Sequence, residues 1–298
     1  MGLSAGRNRL LGAGATIPKQ NSKMRQVSTR RAALALILVL AAFVVGGMVL
    51  VDDTVLADDT VLADDTVLAD DTVLADKASQ VITIVAFGDS TTATRRTVKK
   101  VYADRLPEVL KVSGIEAKVI NAGVGGSHTG RLTDNARHNR RHALDRIDDA
   151  VRNLKPDIVV VQFGWNDSWI DSDEVNDSSR IPVDKYATNL TQIVDTLSKD
   201  GARVILMTPN RPRSTIDDWR VARTQQYVRA VRDLANEKRI LLVDVWREYE
   251  RFAKQPGQSA DDLLLDSVHP NDKGHELVAK MLAKMISDVQ AEAAFGGE

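Results

Sequence analysis

The chain contains no cysteine. That excludes structural disulfides, thiolate metal sites, a cysteine nucleophile and a lipoprotein-type lipid anchor, and it leaves the protein indifferent to the redox state of its compartment. Net charge is almost absent as well. Forty Lys and Arg face 41 Asp and Glu, for a balance of −1, and a nearly neutral body gives no support to nucleic-acid binding. His138 and His142 have the i, i+4 spacing of helical metal ligands, but no glutamate completes an HExxH arrangement, so a metal site is not expected. In the body of the chain no apolar run resembles a lipid-binding lid, which disfavours long acyl chains as ligands. The hydrophobic share of 43% and charged share of 27% suit a packed globular core rather than disorder.

The small net charge conceals segregation. Residues 1–51 carry seven basic side chains and no acid; residues 52–76 carry nine aspartates and no base. Ala32 to Val51 forms twenty residues without a charge, about 30 Å as a helix and so long enough to span a bilayer. Arg30 and Arg31 precede it, with Arg7, Arg9, Lys19, Lys23 and Arg25 upstream. This bias places residues 1–31 in the cytoplasm and the rest outside. The apolar run exceeds that of a usual signal peptide, which favours an uncleaved signal-anchor, although Val55-Leu56-Ala57 also fits a cleavage site. The expectation is therefore an extracytoplasmic domain, membrane-anchored through residues 32–51 or secreted after cleavage. DDTVLA then repeats four times from residue 52 to 75. Four units are too few for a stacked β-helix, and no glycine turns frame the paired aspartates as a cation site. Residues 52–76 read as an acidic linker held open by its charge.

Residues 77–298 read as the folded domain. Apolar, β-branched runs at Val81–Phe87, Ala117–Asn121, Asp157–Phe163, Ala202–Thr208 and Ile240–Val245 predict five strands. Helical spacing marks Val98–Val112, Leu144–Leu154, Tyr186–Leu197, Trp219–Ala235 and Asp272–Val289. Alternation of this kind predicts an α/β three-layer sandwich around a five-stranded parallel sheet. Ligands in such folds bind at the carboxyl ends of the strands. There the chain places Gly88-Asp89-Ser90, then Asn121-Ala122-Gly123-Val124-Gly125-Gly126, then Gly164-Trp165-Asn166-Asp167. Asp266-Ser267-Val268-His269-Pro270 faces the same edge before the last helix.

These segments carry the parts of an ester-cleaving site. Ser90 would be the nucleophile, with the dipole of a following helix behind it. His269 has an imidazole suited to general-base work, and Asp266, three residues earlier, can reach its far nitrogen. The Ser90 amide, an amide of the glycine loop and the Asn166 side chain would hold the oxyanion. Together "FGDST", "NAGVGG", "GWND" and "DSVHP" resemble the four ordered blocks of the SGNH/GDSL hydrolases over about 200 residues. The resemblance implies a flavodoxin-like sheet, no cofactor, Ser90, Asp266 and His269 as the triad, and Gly126 (rather than Gly125) with Asn166 in the oxyanion hole. Thr91 stands where the family's name has leucine.

The same resemblance implies a small-molecule or polysaccharide ester as substrate; family habit, the expected extracytoplasmic location and two tryptophans favour acetyl on carbohydrate. Lysophospholipid or thioester hydrolysis, acyl transfer, and non-catalytic glycan binding are the alternatives. Trp165 and Trp169 flank Asn166 and would stack on a sugar or acyl group, with core packing as the competing reading. Asp89 is expected to cap the following helix or brace its loop, Asp167 to hold loop geometry, the stretch from His128 to Arg146 to be a solvated basic face with contact to an acidic substrate as the alternative, and His275 to lie on the surface of the closing helix.

Overall fold

The computed structural model describes residues 81–172 and 174–295. Among them no helix is long and apolar enough to cross a membrane. The candidate span 32–51, its basic lead and the DDTVLA repeat lie outside the described residues.

Five strands, β1 (Ile82–Gly88), β2 (Ala117–Gly123), β3 (Ile158–Gln162), β4 (Arg203–Met207) and β5 (Leu241–Val243), pair in parallel in the order β2-β1-β3-β4-β5. This is the flavodoxin-like order expected from the sequence. Both faces of the sheet are covered, so the strands are apolar on both sides. Ile84, Ala86, Val160, Ile205 and Met207 pack on one side with Leu106, Leu282 and Ile286. Those partners come from α1 (Tyr102–Val112) and a long closing helix, Asp272–Phe295. Val85, Phe87, Val159, Val161 and Leu206 face the other way, toward Ile147, Leu190, Ile193 and Val231. These belong to α2 (Ala143–Ala150), to the helix Val183–Lys199 and to the helix Asp218–Lys238.

Register brings the site's loops to one level. Gly88 pairs with Gly123 on one side and with Gln162 on the other. The segments after β1, β2 and β3 therefore leave the sheet at the same edge, and the gap between β1 and β3 is where the winding direction reverses, the usual ligand crevice. Arg146 fastens that edge from below. It donates to Ala122 O at 2.7 Å and Gly88 O at 2.8 Å, and its guanidinium lies 4.4 Å from the Phe87 ring centre.

Several expectations need correction. No regular helix follows Ser90: Ala93 N closes a single turn onto Asp89 O at 3.0 Å, and α1 begins only at Tyr102. Helix-dipole support for the serine is therefore missing. The stretch read as Leu144–Leu154 splits at Val151, whose backbone (φ −134°, ψ −63°) leaves the helical region, into α2 and a 3₁₀ turn, Arg152–Leu154. Val245–Ala253 is a helix the sequence reading passed over; Asp244 caps it by accepting from Arg247 N at 3.1 Å. His275 is fully buried rather than superficial. Its Nδ1 accepts from Tyr102 N at 3.3 Å and ties the closing helix to the start of α1, and burial pushes its pKa down to about 3. The stretch around α2 is not simply a solvated face either, because His128, His142 and Arg146 are buried.

Candidate active site

The Asp266–His269 segment is a tight loop, held before it acquires any chemistry. Leu265 N donates to His269 O at 2.9 Å, and Leu264 bridges Pro270. From the β4 side, buried Asn210 donates to Val268 O at 2.8 Å and Arg213 N to Ser267 O at 2.8 Å. Within the loop, Asp266 Oδ1 accepts from the amides of Val268 and His269 at 3.0 and 2.9 Å. Its carboxylate meets His269 Nδ1 at 2.8 and 2.9 Å. Partial burial works against the charged carboxylate, but those two amides and the ring outweigh it and hold the Asp266 pKa below its ordinary 3.8. An ionised carboxylate only accepts, so the ring proton sits on Nδ1. Nε2 is left to accept from Ser90 Oγ, 2.9 Å away.

Ser90 stands on the turn after β1. Asp89 is buried and braces that turn, its Oδ1 accepting from Thr91 N and Thr91 Oγ1, both at 2.8 Å. Burial raises the Asp89 pKa against the pull of these bonds. Arg95 donates to Ser90 O at 2.7 Å from the open side.

Asn166 lies on α3 (Trp165–Ser168), a single helical turn after Gly164. The backbone of Gly164 has φ of 133°, and a Cβ there would meet Pro209 Cγ at 2.7 Å, so only glycine lets β3 turn this sharply into α3. Asn166 Nδ2 donates to Asp89 Oδ2 at 3.4 Å, and its Oδ1 accepts from Arg180 Nη1 at 3.3 Å. Gly126 has φ of 74°, with the His138 ring 3.0 Å from where a Cβ would stand. Arg140 pins the preceding carbonyl, Gly125 O.

Ser90, His269, Asn166 and Gly126 all line one open cavity of about 430 Å³. Trp165 and Trp169 line it too, so packing and cavity-facing roles coincide at Trp165, which is buried, while Trp169 is half-exposed. A larger cavity of about 770 Å³ opens at the opposite edge of the sheet, beside Arg152, Asp157 and Asp200. There Arg152 and Asp200 neutralise one another at 2.5 Å, and no nucleophile is positioned.

His138 and His142 do not share a helix face. His138 lines the active cavity, whereas His142 caps α2 and stacks on His128 with ring centres 3.4 Å apart. Among the described residues no group of three His, Asp or Glu is placed to hold a metal ion. Three contributors escaped the sequence reading. Arg146 and Arg180 belong to no motif, and Thr129, which donates to buried Asp167 through N at 2.9 Å and Oγ1 at 2.5 Å, looks like any loop threonine.

The GDSL-like lipase/acylhydrolase family matches residues 86–277, and the chain belongs to that family. It is a carboxylic ester hydrolase. An acetylxylan esterase of Geobacillus stearothermophilus is 27% identical over 170 residues, 57% of this chain and 72% of that protein. The solved lipase/acylhydrolase of Enterococcus faecalis is 26% identical with a TM-score of 0.57, covering 70% of this chain and 97% of its own. The crystal structure of an acetylxylan esterase from G. stearothermophilus shares the fold at a TM-score of 0.57 and 24% identity, over 70% of this chain and 96% of that one.

Proposed function

We propose that this protein is a serine esterase that removes small acyl groups, acetyl foremost, from carbohydrate. The observation that carries the reading is the run of short contacts from Asp266 through His269 to Ser90 Oγ, opening on a cavity that Asn166 and Gly126 also reach. In this mechanism Ser90 Oγ attacks the acyl carbon while its proton passes to His269 Nε2. The Ser90 and Gly126 amides and Asn166 Nδ2 receive the oxyanion. Collapse of the tetrahedral intermediate breaks the ester bond, and the imidazolium returns the proton to the departing sugar oxygen. Water, deprotonated by the same Nε2, then hydrolyses the acyl-enzyme. Asp266 keeps the ring in the required tautomer and stabilises its charged form.

The carbohydrate part of the reading draws support from the acetylxylan esterase relative and from the aromatic rim. Arg220 backs Trp169 at 4.6 Å and is itself stacked on Trp219 at 4.2 Å. It donates to Ile170 O at 3.2 Å and Ser172 O at 3.1 Å, which fixes the Trp169 loop. A ring held in this way offers a flat surface beside the nucleophile. The sequence alone supports the location: residues 32–51 would tether the enzyme outside the cytoplasm, or cleavage after Ala57 would release it, with the acidic linker as spacer.

Fluorophosphonate labelling followed by peptide mapping tests the nucleophile. The adduct is expected on Ser90, and a folded protein that takes none there removes the serine-nucleophile reading. Rates on acetylated xylo-oligosaccharides compared with p-nitrophenyl acetate and palmitate test the substrate. Faster turnover of the palmitate ester would remove the carbohydrate assignment.

A further inference from the structure

The Asn166 side chain is gripped at both ends. Arg180 Nη1 meets its Oδ1 at 3.3 Å, and Asp89 Oδ2 meets its Nδ2 at 3.4 Å. A guanidinium only donates, so the oxygen of the amide must face Arg180 and the nitrogen must face Asp89. The amide therefore has one allowed flip state. One Nδ2 hydrogen goes to Asp89, and the second remains for the cavity that Asn166 lines.

Arg180 is itself immobilised. Its side chain is 8% exposed, and it makes a forked pair with Asp171 through Nη2 at 2.6 Å and Nε at 3.0 Å. Arg137 Nε meets the same Asp171 oxygen, Oδ1, at 3.0 Å. The backbone fixes the reach: Arg180 N donates to Trp169 O at 2.9 Å and Ile181 N to Asp167 O at 3.1 Å, so residues 180–181 return against the α3 turn. A cation on the carbonyl oxygen also polarises the amide and strengthens its N–H as a donor.

We infer that Arg180 is a positioning residue for the oxyanion site, fixing the orientation of the Asn166 amide and sharpening it as a donor. The inference rests on the proposed role of Asn166 and adds to it the group that makes that role possible. Lysine is not an equivalent residue here. An ammonium lacks the planar fork and cannot hold Asp171 and Asn166 together.

A double-mutant cycle with p-nitrophenyl acetate tests this. Asn166→Ala is expected to lower kcat roughly 10²–10³-fold, as for loss of one oxyanion donor. Arg180→Met should lower kcat about 10–100-fold with little change in KM, the pattern of an interaction felt mainly in the transition state. In the Asn166→Ala background the same substitution should change kcat by less than about twofold, because its effect passes through the lost amide. Arg180→Lys, which retains charge and stem, should fall between, and it carries the test if Arg180→Met does not fold. An Arg180 loss that persists undiminished without Asn166, or no loss at all while Asn166→Ala is impaired, overturns the inference alone. If Asn166→Ala keeps full activity, the oxyanion reading itself falls.

Discussion

His269 Nε2 stands 2.9 Å from Ser90 Oγ although 179 residues separate the two in the chain. Strand register and a pinned loop produce that meeting. β1 delivers Ser90 to the carboxyl edge, and Asn210 and Arg213 hold the loop before the closing helix against it.

Removing either partner should abolish turnover while sparing the fold. Ser90→Ala or His269→Ala should lower kcat by about 10⁴-fold or more. Asp266→Asn should cost less, roughly 10²–10⁴-fold, by presenting the wrong ring tautomer to the serine. Steady-state rates alongside thermal unfolding check this. A Ser90→Ala protein that retains more than a few per cent of activity would show that another group attacks the ester.

Adjacent glycines should respond differently. A methyl at Gly126 meets the His138 ring at 3.0 Å on backbone with φ of 74°, whereas one at Gly125 finds its nearest neighbour, Ser90 Cβ, at 3.8 Å. Gly126→Ala must shift backbone beside Ser90, and a rate loss of roughly 10–100-fold is expected, below that for outright removal of a donor. Gly125→Ala should be nearly silent. Equal losses at both positions would undo the assignment of the Gly126 amide.

Asp167 gives the fold a pH dependence of definite sign. It is fully buried, and one of its oxygens, Oδ2, has no hydrogen-bond partner. Burial raises its pKa to about 7, against the pull of the Thr129 bonds and with help from the Asp89 charge. Between the unfolded value near 3.8 and about 7 the native state holds the extra proton, so stability falls as pH rises through that window. The whole effect is on the order of a few kcal/mol. Asn166's neighbour can be made permanently neutral: Asp167→Asn should flatten the curve and match or exceed the parent at pH 8. Urea unfolding at pH 5 and pH 8 measures it, and parallel curves for the two proteins would contradict the buried-acid account.

Much of this was legible in the residues because it follows from local period and from short blocks. Asp157–Phe163 could scarcely be anything but a strand with both faces buried, and β3 occupies its centre. Asp266 and His269 lie within one loop, so their contact needed no knowledge of the fold. What stayed hidden depends on partners distant in sequence. Arg180 reaches Asn166 only because residues 180–181 double back on α3, and Arg146 is drawn inside by two carbonyls at the ends of β1 and β2. After Ser90 the Asp89 carboxylate takes the Thr91 amide at 2.8 Å, as a helix cap would, but the chain makes a single turn and α1 starts only at Tyr102. His275 was misplaced because a polar residue on an amphipathic helix reads as exposed until Tyr102 N is seen to need an acceptor.

The sugar contact proposed for Trp169 can be tested apart from the chemistry. It lines the cavity with Ser90, and Arg220 supports it at 4.6 Å from one side. If its ring stacks on the sugar that carries the ester, its loss should matter only for substrates that possess a sugar. Trp169→Ala is expected to raise KM for acetylated xylo-oligosaccharides roughly three- to tenfold, the scale of one aromatic contact, and to leave p-nitrophenyl acetate nearly unaffected. Trp165→Ala should behave otherwise: that ring is buried against the core, so both substrates and thermal stability should suffer together. Parallel kinetics on the two esters discriminate the cases. Should Trp169→Ala weaken both substrates equally, the tryptophan holds the site together rather than the sugar, and the carbohydrate reading loses its structural support.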